Sequence, residues 1–228
     1  MIEDFSIDKI EQLVSKTLPK RFKRGEFLYR LDEPVDKVML LIKGYVRHYT
    51  ISSKGDEYTL NILKPHSLFP LPLALNSLNN PYYFEAMGDV EVKIISVAEV
   101  INFFESDQRS LLSLTKKLSA GLNQLSVRSE SLLFGTASQK LATVLCLLGK
   151  RFGHPVRNKK GVIVVNAFKI THRLLASMTA LTRETVSLEM MELKNSGLID
   201  YQRQQVIIND YQQLVELSSL PFYFDITQ

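Results

Sequence analysis

Apolar positions alternate between helical and strand-like spacing along this chain. Residues 6–17 carry Ile7, Ile10, Leu13 and Val14 at helical spacing, which predicts a short amphipathic helix. From Lys20 to about Ser96 the pattern turns into short apolar runs: Phe27–Tyr29, Val38–Ile42, Tyr45–Tyr49, Tyr58–Leu63, Tyr82–Phe84 and Val90–Ile95. Turn residues separate them at Asp32-Glu33-Pro34, Lys43-Gly44, Lys54-Gly55-Asp56, Lys64-Pro65 and Gly88-Asp89. Strands spaced this closely, with no helical stretch between them, predict an antiparallel barrel or sandwich rather than alternating βα units.

Helical spacing then returns. After a segment at Val97–Glu105, one long helix is predicted from about Asp107 to Leu133. Leu111, Leu118, Leu125 and Leu132 recur every seventh residue, and Thr115, Leu122 and Ser129 fill the companion positions. This heptad seam either packs on its own domain or pairs with a second copy of the chain. The helix's length and its place between two domains favour the dimer seam. Gly135-Thr136-Ala137 breaks the pattern, a second helix follows over about Ser138–Phe152, and loops surround a strand at Val162–Val165. The rest reads as helix, turn, helix, two short strands (Leu198–Tyr201 and Gln205–Ile208), and a last helical piece from Tyr211 that Pro221 interrupts.

Thr171 to Asn195 is the most informative segment. Thr171 can cap a helix with Leu174, Leu175 and Met178 on its apolar face; Thr179-Ala180-Leu181 makes a short turn. Thr182 can cap a second helix whose buried stripe is Val186, Met190 and Leu193. Arg183, Glu184, Ser187 and Leu188 are left pointing outward from its first turns, where a helix laid in the major groove meets base edges. Arg183 can donate twice to guanine, and Glu184 can accept from the cytosine amino group. Thr182 and Thr185, beside free amides at the helix start, are candidate phosphate contacts. The hairpin after Gly197 has a basic tip at Gln202-Arg203-Gln204, which adds a wing and makes Arg203 a further phosphate candidate.

Charge sharpens this picture. Of 28 Lys and Arg and 24 Asp and Glu, residues 1–136 hold 17 of each, so the net charge of +4 lies wholly in residues 137–228. Nine basic residues stand between Glu130 and Glu184 with no acid among them, which points to a polyanionic partner. One cysteine, Cys146, excludes a disulfide framework and a cysteine-held iron–sulfur cluster within one chain. No apolar stretch is long enough to span a membrane, and the acidic start Met1–Phe5 is unlike a secretory signal, so a cytoplasmic protein without membrane contact is expected. There is no P-loop, nucleophile elbow, zinc-protease motif or metal-spaced Cys/His cluster, so no enzyme is expected.

Taken with these features, the chain resembles the Crp/Fnr family of bacterial regulators. The resemblance lies in Ile170-Thr171 with Leu181–Ser187 (the helix-turn-helix), Gly197-Leu198-Ile199 (the wing entry), and Phe22–Glu26 and Leu40–Val46 (the start of a sensor β-roll). It spans residues 5–210. It implies an α+β protein with an N-terminal antiparallel β-roll over 1–106, a long dimerisation helix over 107–136 and a C-terminal winged helix-turn-helix over 137–228. It implies base contacts from Arg183 and Glu184 with Ser187 beside them. Phosphate contacts are implied for Thr171, His172, Thr182 and Thr185. The partners it implies are near-palindromic double-stranded DNA, RNA polymerase and a second copy of the chain. Leu188 stands where an arginine is frequent, and Ala180 where a turn glycine is common. Both leave room for a ligand-binding or scaffolding dimer that does not itself bind DNA.

The family's cyclic-nucleotide binders hold the phosphate at positions that fall near Pro70-Leu71 and Asn80-Pro81, and no arginine lies between Arg47 and Arg109. A buried phosphate without such a partner is costly, so tight binding of cyclic AMP is not expected. The apolar loop instead offers Phe69, Leu71, Leu73 and Tyr83, either as a pocket for an unidentified hydrophobic effector or as filling for the roll. Haem is not expected: His48 and His66 are the only histidines of this domain, and a lone histidine is more often structural.

Overall fold

A computed structural model describes residues 9–12, 14–157, 159 and 161–218. The chain divides into two compact units, Met1–Gly121 and Leu122–Gln228, with the boundary inside one long helix. The first unit is built on two four-stranded antiparallel sheets. One has the order β1 (Lys20–Phe22), β8 (Val90–Ser96), β3 (Lys37–Lys43), β6 (Leu68–Phe69). The other has β2 (Phe27–Tyr29), β7 (Tyr83–Ala86), β4 (Val46–Ile51), β5 (Glu57–Leu63).

Alternation along the strands explains the two cores of this unit. Met39 and Leu41 of β3 and Val90 and Val92 of β8 pack with Val46, Phe84 and Ala86 of the other sheet. The intervening Val38, Leu40 and Ile95 pack instead on Leu71, Ala74, Val100 and Phe104, joined by Ile10 and Val14. The run Val38–Leu41 is therefore apolar without a break because both of its faces are covered. Leu71 and Ala74 belong to a short helix, α1 (Leu71–Leu75), in a segment whose spacing had pointed only to a loop. Val100 and Phe104 belong to α2 (Val97–Ser106), which Ser96 starts through a reciprocal capping box with Glu99.

The N-terminal helix does not extend to residue 17 as its apolar spacing suggests. Residues 9–12 are helical and 14–16 form turns; Ile7 and Leu13 of the expected face lie outside the described residues. The long helix α3 runs from Gln108 to Phe134, within a residue of its expected ends.

In the second unit, Thr136 opens α4 (Ala137–Phe152) with a capping box to Gln139. The eight residues Leu141–Leu148 of this helix are all buried, Cys146 among them. A four-stranded antiparallel sheet follows in the order β11 (Ile199–Gln202), β12 (Gln205–Ile208), β10 (Ile163–Val165), β9 (His154–Pro155). The last of these was not legible as a strand, since its two residues, one a proline, give no alternation. Helices α5 (His172–Thr179), α6 (Arg183–Asn195) and α7 (Tyr211–Leu217) complete the unit. The end expected near Pro221 lies outside the described residues.

Candidate nucleic-acid interface

Local capping chemistry fixes the two helices of the motif. The hydroxyl of Thr171 accepts from the Leu174 amide at 3.1 Å and starts α5. That of Thr182 accepts from the Thr185 amide at 3.1 Å and starts α6. Between them Ala180 closes α5 in the left-handed region, at φ 53° and ψ 32°. The turn thus takes the conformation a glycine favours, while an alanine bears its steric cost.

Burial separates the faces of α6. Val186, Met190 and Leu193 are buried. Arg183, Glu184, Ser187 and Leu188 are all exposed, as is Met191, which the sequence had not singled out. Thr182 is exposed and Thr185 half-buried, with their hydroxyls 3.0 Å apart at the helix start. At the other end, Lys194 pairs with Asp200 of β11 at 3.1 Å, which ties the helix to the wing and holds that carboxyl below its usual range.

The wing is anchored at its tip. Arg203 and Gln204 form a two-residue turn with φ of 50° and 62°, the left-handed pair that suits a tight hairpin. The amide of Ile170 donates to the Gln204 carbonyl at 2.8 Å, and the Tyr201 hydroxyl donates to the Ile170 carbonyl at 2.8 Å. Exposed Arg203 is thereby held close to the start of α5, where Lys169 and Arg173 are also exposed. These ties were not visible in the sequence, because nothing local marks Tyr201 as a partner of Ile170.

His172 is turned partly inward. Its ring packs on Tyr201 at 5.1 Å between centroids, and its Nε2 is buried without a hydrogen-bond partner. Burial, and then the nearby Arg183 charge, pull its pKa down. The lowered pKa favours the neutral ring, which packs on the wing through Tyr201.

One residue of α3 was missed altogether. Arg128 is buried and donates to the carbonyl of Met178 at 2.7 Å, just before the motif's turn, with Val127 and Ser131 buried beside it. Leu111, Leu118, Leu122 and Leu125 of the same helix remain between 46% and 66% exposed, and Leu132 is half-buried. Four of the five seam leucines are thus uncovered in the single chain.

The four residues of the apolar loop are not gathered into one pocket. Phe69 stacks on Phe84 inside the roll, while Leu71 belongs to the cluster on the far side of the first sheet. Leu73 is half-buried, and Tyr83 stacks on Tyr49 at 5.3 Å. At the positions where a cyclic nucleotide's phosphate would need donors, Pro70 has no amide hydrogen to give. The buried Asn80 already spends its side chain on the carbonyls of Arg30 and Tyr82 and the amide of Tyr82. These residues do not fit a cyclic-nucleotide phosphate.

A capped two-helix motif with an anchored wing and an exposed polar row on its second helix defines a winged helix-turn-helix DNA-binding unit, here joined to a two-sheet sensor-type domain. Comparison with known proteins agrees across both parts. The Crp-like helix-turn-helix domain matches residues 139–217, and the cyclic nucleotide-binding domain matches residues 19–107. The regulatory protein CysR of Synechococcus elongatus is 30% identical over 168 residues, 74% of this chain and 73% of that protein. The global nitrogen regulator of the same organism is 24% identical over 216 residues, covering 90% and 93%. A Crp/Fnr-family transcriptional regulator of Thermus thermophilus superposes with a TM-score of 0.69 at 25% identity, over 88% of this chain and 98% of that one. The chain belongs to the Crp/Fnr family and is a transcription regulator with a helix-turn-helix DNA-binding domain. No described helix is long and apolar enough to cross a membrane.

Proposed function

We propose that this regulator acts in the cytoplasm as a homodimer that presents α6 twice to a near-palindromic DNA site. In this reading residues 1–106 are the sensor roll, 107–136 the dimerisation helix and 137–228 the DNA-binding domain. The observation that carries it is the row Arg183, Glu184, Ser187 and Leu188, all exposed along the first two turns of a capped helix. Arg183 donates to guanine and Glu184 accepts from cytosine, each pair worth about 1–3 kcal/mol of discrimination. Thr171, Thr182, Thr185 and Arg203 hold the backbone and set the register. Leu111, Leu118, Leu122, Leu125 and Leu132 pair with their copies, supported by the exposed face that the first four leave on α3.

Cyclic AMP does not control the protein in this reading, since Pro70 offers no amide hydrogen and the Asn80 side chain is already engaged. An effector, where one binds, is of another chemistry, and the bound dimer addresses RNA polymerase. No iron–sulfur cluster or haem takes part. Cys146 is buried with its thiol pushed up by desolvation, and His48 is stacked against Phe84 at 4.5 Å with its Nε2 buried. Fluorescence anisotropy on a duplex and its single-base variants tests the assignment. Arg183→Ala should cost about tenfold or more on the preferred duplex and flatten the preference at one position in each half-site. A uniform loss on every sequence would make Arg183 a phosphate contact and overturn its role.

A further inference from the structure

The exposed face of α6 carries more carbon than a DNA-reading helix needs for hydrogen bonding. At about 100° per residue, Glu184, Leu188 and Met191 fall within about 60° of one another, opposite the buried Val186, Met190 and Leu193. Leu188 is 60% and Met191 50% exposed, so two large apolar side chains stand in water beside Arg183, Glu184 and Ser187. Their neighbours name the occupant of this patch. It is bordered by a helix start that attracts anions and by exposed Arg183, which are features that draw DNA rather than an apolar protein face.

The geometry points to Leu188, flanked by Met191, as an apolar contact for the C5-methyl of thymine. This rests on α6 lying in the major groove. Thymine is the base that shows a methyl group there, whereas guanine and cytosine show polar edges that a leucine would strip of water and leave unpaired. Leu188 lies about 6 Å from Glu184 along the helix axis, and base pairs step by about 3.4 Å. The T·A pair it selects is therefore one or two steps from the pair taken by Glu184. Specificity in each half-site then has two parts, a polar reading at the first turn and a methyl reading at the second.

The test uses the full chain and the duplex it enriches from a random pool. Each thymine of one half-site is replaced in turn by deoxyuridine, which keeps base pairing and loses only the methyl. At one position, one or two steps from the Glu184 pair, methyl removal should weaken binding about fourfold, the effect expected for one buried methyl-sized group. Leu188→Ala should weaken binding to the parent duplex by a similar factor and become indifferent to deoxyuridine at that position alone. Indifference of the parent protein to every such replacement would overturn the proposal. So would a deoxyuridine cost that survives in Leu188→Ala, or a Leu188→Ala protein with unchanged affinity, which would give the patch to a protein partner. The groove reading fails differently: no duplex is enriched, or Arg183→Ala leaves the enriched sequence unchanged.

Discussion

His48 shows how much a single buried ring can set the behaviour of the first unit. It lies flat on Phe84, with an interplanar angle of 5°, and meets the edge of Tyr82 at 4.6 Å. Burial lowers its pKa from 6.5 to about 4. An unfolded chain takes up this proton near pH 6.5, while the folded chain refuses it until about pH 4. Stability from the neutral ring is thus complete above pH 6.5 and is lost as pH falls toward 4. By pH 5.5 the loss is about 1 kcal/mol. Urea unfolding at pH 7.5 and 5.5 should show this loss in the parent protein and not in His48→Phe. Equal losses in both proteins would contradict the assignment. The carboxyl of Asp107, held down to about 2 by Lys9 and Ser110, acts in a separate window, losing its contribution only below about pH 4. A sequence shows that His48 sits in an apolar run, but not that its Nε2 is sealed away, since the rings of Tyr82 and Phe84 reach it across strands.

Among the elements, the helix-turn-helix was the most legible because its signals are local. Thr171 and Thr182 cap within three residues of themselves, and the buried residues of α5 and α6 follow helical spacing. Ala180 is the exception within the motif. It holds φ 53° without being glycine, which costs it about 1–2 kcal/mol. Ala180→Gly should therefore raise the stability of the second unit by about 0.5–1 kcal/mol, part of the relief being offset by the freer unfolded chain. Denaturant unfolding checks the sign: a midpoint that falls would mean the methyl group is favourably packed. The long helix was legible in extent but not in its two roles. Its leucine seam is periodic, whereas the buried Arg128 depends on a carbonyl 50 residues away that no spacing rule can find. The strand β9 and the helix α1 were missed for a different reason, each being too short for a period of its own.

For the whole molecule, the alternation of strands gave the two-sheet unit and the charge asymmetry gave the DNA-binding end. The grouping of Phe69 with Leu71 could not be judged from sequence, because neighbours across a strand end point into different cores. At this scale the proposed dimer depends on the seam of α3. Leu118→Glu with Leu125→Glu places carboxylates in the proposed seam without touching a buried residue of the single chain. Light scattering should give twice the 26.0 kDa chain mass for the parent and the single mass for the double variant. A double variant that stays dimeric would remove α3 as the interface.

Selection from a random-sequence duplex pool tests the central claim most directly, because it asks at once whether the chain reads bases and whether it does so twice. The expected product is an inverted repeat with half-sites about 10–10.5 base pairs apart, centre to centre, whose sequence changes when Arg183 is replaced by alanine. A pool that emerges unenriched, or one that yields the same unrepeated sequence with and without Arg183, would contradict it.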